Sequence, residues 1–178
     1  LFQSVSARSA GFAALSDLSQ LTPASQWLIT GLMFVGTAPA SMGGGITTGT
    51  LAILVLAMVS YARGLPQAQV GMRSISQQTI GRAVAVLTVS FILVATTTWL
   101  LLMTQAVTLD DALFSTVSAF ATTGLATAPM TDFNWFGRLL LMAMMFWGRL
   151  GALTIVLAMA RQTPPQPISY PEDTLLLG

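Results

Sequence analysis

Long hydrophobic runs alternate with short polar or glycine-rich stretches along this chain. Residues 83–103 form an uncharged run, AVAVLTVSFILVATTTWLLLM, of about 20 residues, the length that a helix needs to cross a bilayer. A second run, residues 139–160, contains one charge, Arg149. A third, residues 27–61, is cut in two by SMGGGITTGT at residues 41–50, which is too glycine-rich for an unbroken helix. The pattern predicts an all-α integral membrane protein with one broken helix.

The composition also favours a lipid environment. Of the 178 residues, 54% are hydrophobic and 7% are charged, whereas soluble domains carry about 25% charged residues. The chain has no Lys, His or Cys, which excludes disulfides and thiolate metal sites. Its carboxylates show no catalytic spacing, so we expect no enzymatic activity. A net charge of +1 without a basic stripe argues against nucleic-acid binding.

The charged residues divide between the two sides of the predicted membrane. Four arginines lie between the broken helix and the next run or after the last run: Arg63, Arg73, Arg82 and Arg161. The opposite side carries four carboxylates: Asp17, Asp110, Asp111 and Asp132. Because arginines concentrate in cytoplasmic loops, we expect a multi-pass protein of the inner (cytoplasmic) membrane with a cytoplasmic C-terminus.

Two segments of the chain match each other at an offset of 112 residues. The matched groups are Leu1-Phe2 with Leu113-Phe114, Val5-Ser6-Ala7 with Val117-Ser118-Ala119, Met33-Phe34 with Met145-Phe146, and Gly36 with Gly148. The glycines that end the first phrase, Gly11 and Gly124, are offset by 113. Agreement at both ends of the segments indicates a structural repeat, with a short helix, a glycine-containing turn and a long apolar helix in each copy.

The short helix of the second copy extends from Leu109 to about Phe120, which is too short to cross a membrane. We expect it to be re-entrant, with a turn at residues 122–125. Irregular backbone at membrane depth requires surrounding protein or a water-filled cavity, and carbonyl oxygens at such a turn can replace the hydration shell of a cation. Each copy is therefore predicted to supply one wall of a pore. Asp110 and Asp111 suit the positive end of the helix dipole, although attraction of cations to the mouth is an alternative role.

Four stretches, SVSARSAGF, GTAPASMGGGITTGT, SAFATTGL and FWGRLGALT, resemble the Trk/Ktr/HKT superfamily of potassium transport proteins, and most closely the bacterial Ktr-type membrane subunit. The resemblance implies a potassium-channel-like fold of membrane–pore-loop–membrane repeats, four per protein around one filter. This chain would hold one partial and one complete repeat, as the C-terminal part of a longer protein. Residues 1–63 would be the pore loop and broken second helix of the third repeat, and residues 64–78 a cytoplasmic linker. Residues 79–162 would be the fourth repeat, and residues 163–178 a cytoplasmic tail.

The resemblance also implies the site residues. The potassium-binding selectivity filter would be formed by Ser9, Ala10, Gly11, Phe12, Thr122, Thr123, Gly124 and Leu125. An intramembrane gate would be formed by Ser41, Gly43, Gly44, Gly45, Thr47, Thr48 and Arg149. A helix kink without a gating role is the alternative for the glycine-rich stretch, and a buried structural arginine is the alternative for Arg149.

The implied function is potassium uptake through a carbonyl-lined filter that the glycine-rich loop gates. Potassium would be the substrate and sodium a candidate activator, with no covalently bound cofactor. The implied partners are membrane lipid, a second copy in a homodimer, and a cytoplasmic ring of nucleotide-binding regulatory subunits. The alternative is a secondary transporter with a substrate site near the membrane midplane at the broken helix.

Overall fold

A computed structural model describes residues 2–8, 10–13, 18–39, 41, 43–64, 69–70 and 73–150 of the chain. These residues contain six α-helices: α1 (Phe2–Ser6), α2 (Pro23–Phe34), α3 (Thr48–Ala62), α4 (Gln77–Thr104), α5 (Leu109–Phe120) and α6 (Trp135–Leu150). They also contain two 3₁₀ turns, Leu18–Gln20 and Met130–Asp132, and two short strands, β1 (Gln69–Val70) and β2 (Arg73–Ser74), paired antiparallel. The predicted helical fold is confirmed, apart from this small ladder.

Hydroxyl side chains set the beginnings of three helices. Thr47, Ser76 and Thr108 are the N-caps of α3, α4 and α5, and each accepts a hydrogen bond from the backbone N–H three residues later. Such a cap satisfies one of the free amides of the first helical turn. The cap at Ser76 explains why α4 begins before the uncharged run from which it was predicted.

Helix α4 is long and apolar enough to cross a bilayer. It has 28 residues, with a mean hydropathy of 2.1 over its most apolar window, and it is the one helix of the described part of the chain that meets both conditions. The 15-residue α3 is also apolar but shorter. Large apolar side chains are exposed along α4, including Phe91, Ile92 and Trp99, as expected of a surface that faces lipid or further protein.

The short helix α5 lies at the centre of the described structure. Every residue from Phe114 to Phe120 is buried, because α2, α4 and α6 all pack against this helix. Its bounds, Leu109–Phe120, match those predicted from the sequence. A helix of 12 residues surrounded on several sides brings its C-terminal end into the interior of the protein, where the candidate site begins.

Candidate functional site

A glycine turn follows helix α1. The amides of Ala10 and Gly11 both donate to the Ser6 carbonyl, at 3.0 and 3.1 Å, and Gly11 has a φ of +72°. The Ser6 hydroxyl donates to the Phe12 carbonyl at 2.5 Å. The positive φ is readily adopted only by glycine, which explains why Gly11 ends the repeated phrase. We call residues 10–12 the first glycine turn; Ser9, predicted to belong to it, lies outside the described residues.

A second glycine turn, residues 122–125, follows helix α5. The Thr123 amide donates to the Ser118 carbonyl at 3.0 Å, and Gly124 has a φ of +82°. Thr122 also has a positive φ, +53°, which is uncommon for a β-branched residue and marks a strained position. Thr123 and Leu125 are buried, whereas Gly124 is exposed. Both copies of the repeat therefore end a short helix in a left-handed glycine.

The two glycine turns are in direct contact. A Cβ atom placed on Gly11 would overlap the carbonyl oxygen of Thr123. The Thr123 hydroxyl lies 3.5 Å from the Ala7 carbonyl oxygen, to which it donates a long hydrogen bond. Residues that are more than a hundred positions apart thus bring backbone carbonyls and threonine hydroxyls together, and these are oxygen atoms suited to a desolvated cation.

A cavity of about 80 Å³ adjoins the second glycine turn at Gly124 and Leu125. Its lining includes Ser115, Gly124, Leu125, Phe133 and Leu141. The Ser115 hydroxyl is buried and has no hydrogen-bond partner within the described part of the chain. Apart from Gly124 itself and its two chain neighbours, no described residue has an atom within 4 Å of a Cβ placed on Gly124. The second turn is therefore packed on its Gly11 side and open on its Gly124 side.

The break between α2 and α3 forms a loop whose two ends are joined. We call residues 35–47 the central loop; residues 40 and 42 lie outside the described set. The Gly36 amide donates a hydrogen bond to the Ile46 carbonyl at 2.8 Å, and the Ile46 amide donates to the Phe34 carbonyl at 3.1 Å. The Thr48 amide donates to the Thr37 carbonyl at 3.0 Å. The break begins at Val35, earlier than the glycine-rich stretch, and the loop is tied at its base.

The central loop reaches the second glycine turn through Gly44. The Gly44 amide donates to the Thr122 hydroxyl oxygen at 3.1 Å. A Cβ on Gly44 would lie 2.8 Å from the Phe120 carbonyl oxygen, 2.9 Å from the Ala121 carbonyl carbon and 2.9 Å from the Thr122 methyl carbon. Only glycine therefore fits at this point of contact between the loop and the turn.

Phe120, the last residue of α5, lies where the loop, α2 and α6 meet. Its ring centroid is 6.1 Å from that of Phe34. On α6, Gly148 lies so close that a Cβ there would overlap the Phe120 carbonyl oxygen. Gly36, the partner of Gly148 in the repeat, has a similar contact with the Gly44 carbonyl oxygen. Both repeat glycines thus permit a close approach between backbones.

The other residues predicted for the gate take different positions. Thr47 is the N-cap of α3 and Thr48 its first residue, while Gly45 has a φ of +84° and Gly43 is half-buried. Ser41 is exposed, and its hydroxyl accepts from the Gly43 amide at 3.4 Å. Arg149 is exposed on α6, next to Gly148. The structure brings Gly44 and the two glycine turns together, and the filter and gate roles of all these residues stay predictions.

Comparison with known proteins identifies the family. The family model TrkH, described as a cation transport protein, matches residues 1–169. This chain belongs to the TrkH family of cation transport proteins. The predicted membership of the Trk/Ktr superfamily is confirmed.

Three relatives extend this result. The chain is 35% identical over 178 residues to "Ktr system potassium uptake protein D" of Bacillus subtilis (strain 168), covering 100% of this chain and 39% of that protein. It is 35% identical over 177 residues to "Ktr system potassium uptake protein B" of Vibrio alginolyticus, covering 99% of this chain and 38% of that protein. It is 30% identical over 183 residues to "Potassium/sodium uptake protein NtpJ" of Enterococcus hirae, covering 99% of this chain and 40% of that protein. The chain thus spans about two fifths of the length of these relatives.

Proposed function

We propose that this chain takes part in potassium uptake, and that its two glycine turns contribute oxygen ligands to a selectivity filter. The observation that carries the proposal is the contact between Gly11 and the Thr123 carbonyl. It places two turns of the same design side by side, each after a short helix and each containing a left-handed glycine. In this proposal the filter residues are Ser9, Ala10, Gly11 and Phe12 with Thr122, Thr123, Gly124 and Leu125.

The chemistry of the turns fits a weakly hydrated monovalent cation. Potassium filters replace water with backbone carbonyl oxygens, and α5 directs the negative end of its dipole toward the second turn. Within the described residues, no group of three or more carboxylates forms a metal site, and the oxygens at the turns come from carbonyls and hydroxyls. All three relatives above are named as potassium uptake proteins, which supports this choice of cation. The Enterococcus hirae relative is named for sodium as well as potassium uptake. Sodium as an activator stays part of the proposal.

The central loop is the proposed gate. It lies against the second turn at Gly44, so a displacement of the loop would change the surroundings of the filter directly. Ser41, Gly43, Gly45, Thr47, Thr48 and Arg149 complete the proposed gate, with Arg149 contributing a positive charge opposed to cation passage. The secondary-transporter alternative relied on the same broken helix. Because the loop contacts a glycine turn, one pore accounts for both features.

The proposed setting is the cytoplasmic membrane. We propose a multi-pass protein in lipid, with a cytoplasmic C-terminus, that forms a homodimer and binds a cytoplasmic ring of nucleotide-binding regulatory subunits. The apolar surface of α4 supports burial in lipid. The linker at residues 64–78 and the tail at residues 163–178 would then face the regulatory subunits.

Rubidium uptake by the full native protein, in cells that lack their own potassium uptake systems, tests the proposal. Gly124→Asp adds a side chain and a carboxylate beside the turn, while aspartate tolerates the left-handed backbone there. We expect uptake to fall at least about tenfold, which is about 1.4 kcal/mol in the transport barrier, because the added carboxylate disturbs the spacing and field of the carbonyl oxygens that bind the ion. The matched control is Gly81→Asp on α4, where the added side chain has open space. Equal uptake by both variants, at equal amounts in the membrane, would overturn the proposal.

A further inference from the structure

Asp111 uses both of its carboxylate oxygens in hydrogen bonds to threonine hydroxyls. Its Oδ2 accepts from the Thr108 hydroxyl at 2.7 Å, and its Oδ1 accepts from the Thr127 hydroxyl at 2.7 Å. The Thr108 oxygen in turn accepts from the Asp111 amide at 3.3 Å. Hydroxyl-to-carboxylate bonds of this length belong to the stronger class of protein hydrogen bonds. The carboxylate is therefore held in one orientation.

The Thr127 bond connects the two ends of one structural unit. Asp111 lies in the first turn of α5, whereas Thr127 follows the second glycine turn, three positions after Gly124. At its other end the turn is tied to the last turn of α5, where the amide of Thr123 donates to Ser118. The chain that enters the second glycine turn and the chain that leaves it are thus both fastened to the same short helix.

Asp110 provides a comparison on the same helical turn. Both carboxylates lie in the first turn of α5, where the helix dipole favours negative charge. Asp110 is exposed and makes no side-chain hydrogen bond of this kind within the described residues, whereas Asp111 is half-buried and bonded twice. The dipole accounts for a carboxylate at either position, but it does not account for the bond to Thr127.

We propose that Asp111 is a positioning residue that fixes the second glycine turn through Thr127 and thereby sets ion selectivity. This inference rests on the proposed function. Without the Asp111–Thr127 bond, the segment after Gly124 can move away from α5, and the carbonyl oxygens of the turn lose their fixed spacing. Potassium is distinguished from sodium by the size of the oxygen cage and by the number and field strength of its carbonyls. Looser spacing therefore reduces discrimination between the two ions more than it reduces total uptake.

The test measures rubidium uptake and its inhibition by sodium for the full native protein and its variants. Thr127→Val removes the hydroxyl and keeps nearly the same side-chain shape. Asp111→Ala removes the carboxylate that accepts the hydrogen bond from the Thr127 hydroxyl. We expect each to lower rubidium-over-sodium selectivity at least about fivefold, which is less than the full effect of losing a hydrogen bond to a charged group. Thr127→Ser keeps the hydroxyl, and Asp110→Ala removes only a carboxylate that interacts with the helix dipole. Both variants should therefore keep a rubidium-over-sodium selectivity within about twofold of the native value. The double variant Asp111→Ala/Thr127→Val should be no worse than the poorer single variant.

Two results would overturn the inference. One is a loss of selectivity in Asp110→Ala equal to that in Asp111→Ala, which would assign the effect to the helix dipole. The other is native selectivity in Thr127→Val at native amounts in the membrane. If Asp111→Ala does not insert, Thr127→Val against Thr127→Ser decides alone.

Absence of rubidium uptake by the native protein would instead defeat the proposed function. The effect of the Asp111–Thr127 bond on the second glycine turn is then tested by hydrogen exchange in the purified protein. Amides of residues 123–127 should exchange faster in Thr127→Val than in Thr127→Ser, and equal rates would refute the role of Asp111.

Discussion

The Gly44 amide donates a hydrogen bond of 3.1 Å to the hydroxyl oxygen of Thr122, 78 residues further along the chain. The donor belongs to the central loop and the acceptor to the second glycine turn. The acceptor residue is itself held at a positive φ of 53°, a conformation that a threonine adopts only when its surroundings stabilise it. The loop therefore helps to maintain the conformation of the turn.

Gly44→Ala should separate the central loop from the second turn. The added methyl group would meet the Phe120 carbonyl, the Ala121 carbonyl carbon and the Thr122 methyl group, all at less than 3 Å. Because two of these atoms are backbone, the loop is the part that moves, at a cost of roughly 1–3 kcal/mol. If the loop is the gate, uptake in this variant should no longer depend on the regulatory subunits.

The control for this prediction is Gly31→Ala in α2, where a methyl group meets nothing within 4 Å. It should keep native uptake and native regulation. Rubidium uptake with and without the regulatory subunits measures both. Unchanged dependence on the subunits in Gly44→Ala would contradict a gating role for the loop.

Gly148→Ala should destabilise the packing of α6 against α5. The methyl group would occupy the position of the Phe120 carbonyl oxygen, and a helix backbone cannot yield as a flexible side chain can. We expect a loss of about 1–3 kcal/mol of stability, seen as a lower thermal midpoint of the purified protein. Gly81→Ala on α4, where there is open space, should keep or raise the midpoint because alanine favours helix. Equal midpoints would show that α6 has room to shift.

Alanine at the two left-handed glycines should have unequal effects. Gly11→Ala combines a positive φ with an overlap of the Thr123 carbonyl, whereas Gly124→Ala has a positive φ and open space. We expect Gly11→Ala to reduce stability more, by about 1–3 kcal/mol beyond the strain common to both. Gly124→Asn should be milder than Gly124→Ala, since asparagine tolerates left-handed backbone. Thermal unfolding of the three variants ranks them, and a larger loss at Gly124 would contradict the observed packing.

The hydropathy and the repeat in the sequence predicted the helices that carry apolar runs. They also predicted the bounds of α5 and the break before α3. The glycine turns were predictable because Gly11 and Gly124 end a repeated phrase, and each does have a positive φ. The hydropathy run alone did not predict the beginning of α4 at Gln77. Its first turns are polar, and a local cap at Ser76 sets the boundary instead of hydropathy.

Neither hydropathy nor repetition in the sequence predicts contacts between distant residues. Nothing in the sequence pairs Gly44 with Thr122 or Asp111 with Thr127, because a hydrogen bond between distant positions leaves no periodic pattern in one chain. The positive φ of Thr122 was likewise unexpected, since side-chain preference disfavours it and tertiary contacts determine it. For Asp111, the sequence indicated a carboxylate at the positive end of the helix dipole, but the bond to Thr127 depends on the path of the chain after the turn.

The backbone bonds at the base of the central loop set a limit on how far its tip can travel. With Gly36, Thr37, Ile46 and Thr48 joined, the free length of chain is residues 38–45. At about 3.5 Å per residue, eight residues reach out and back over at most about 14 Å from the base. Any excursion of Gly44 away from Thr122 is therefore limited by the bonds that join the two ends of the loop.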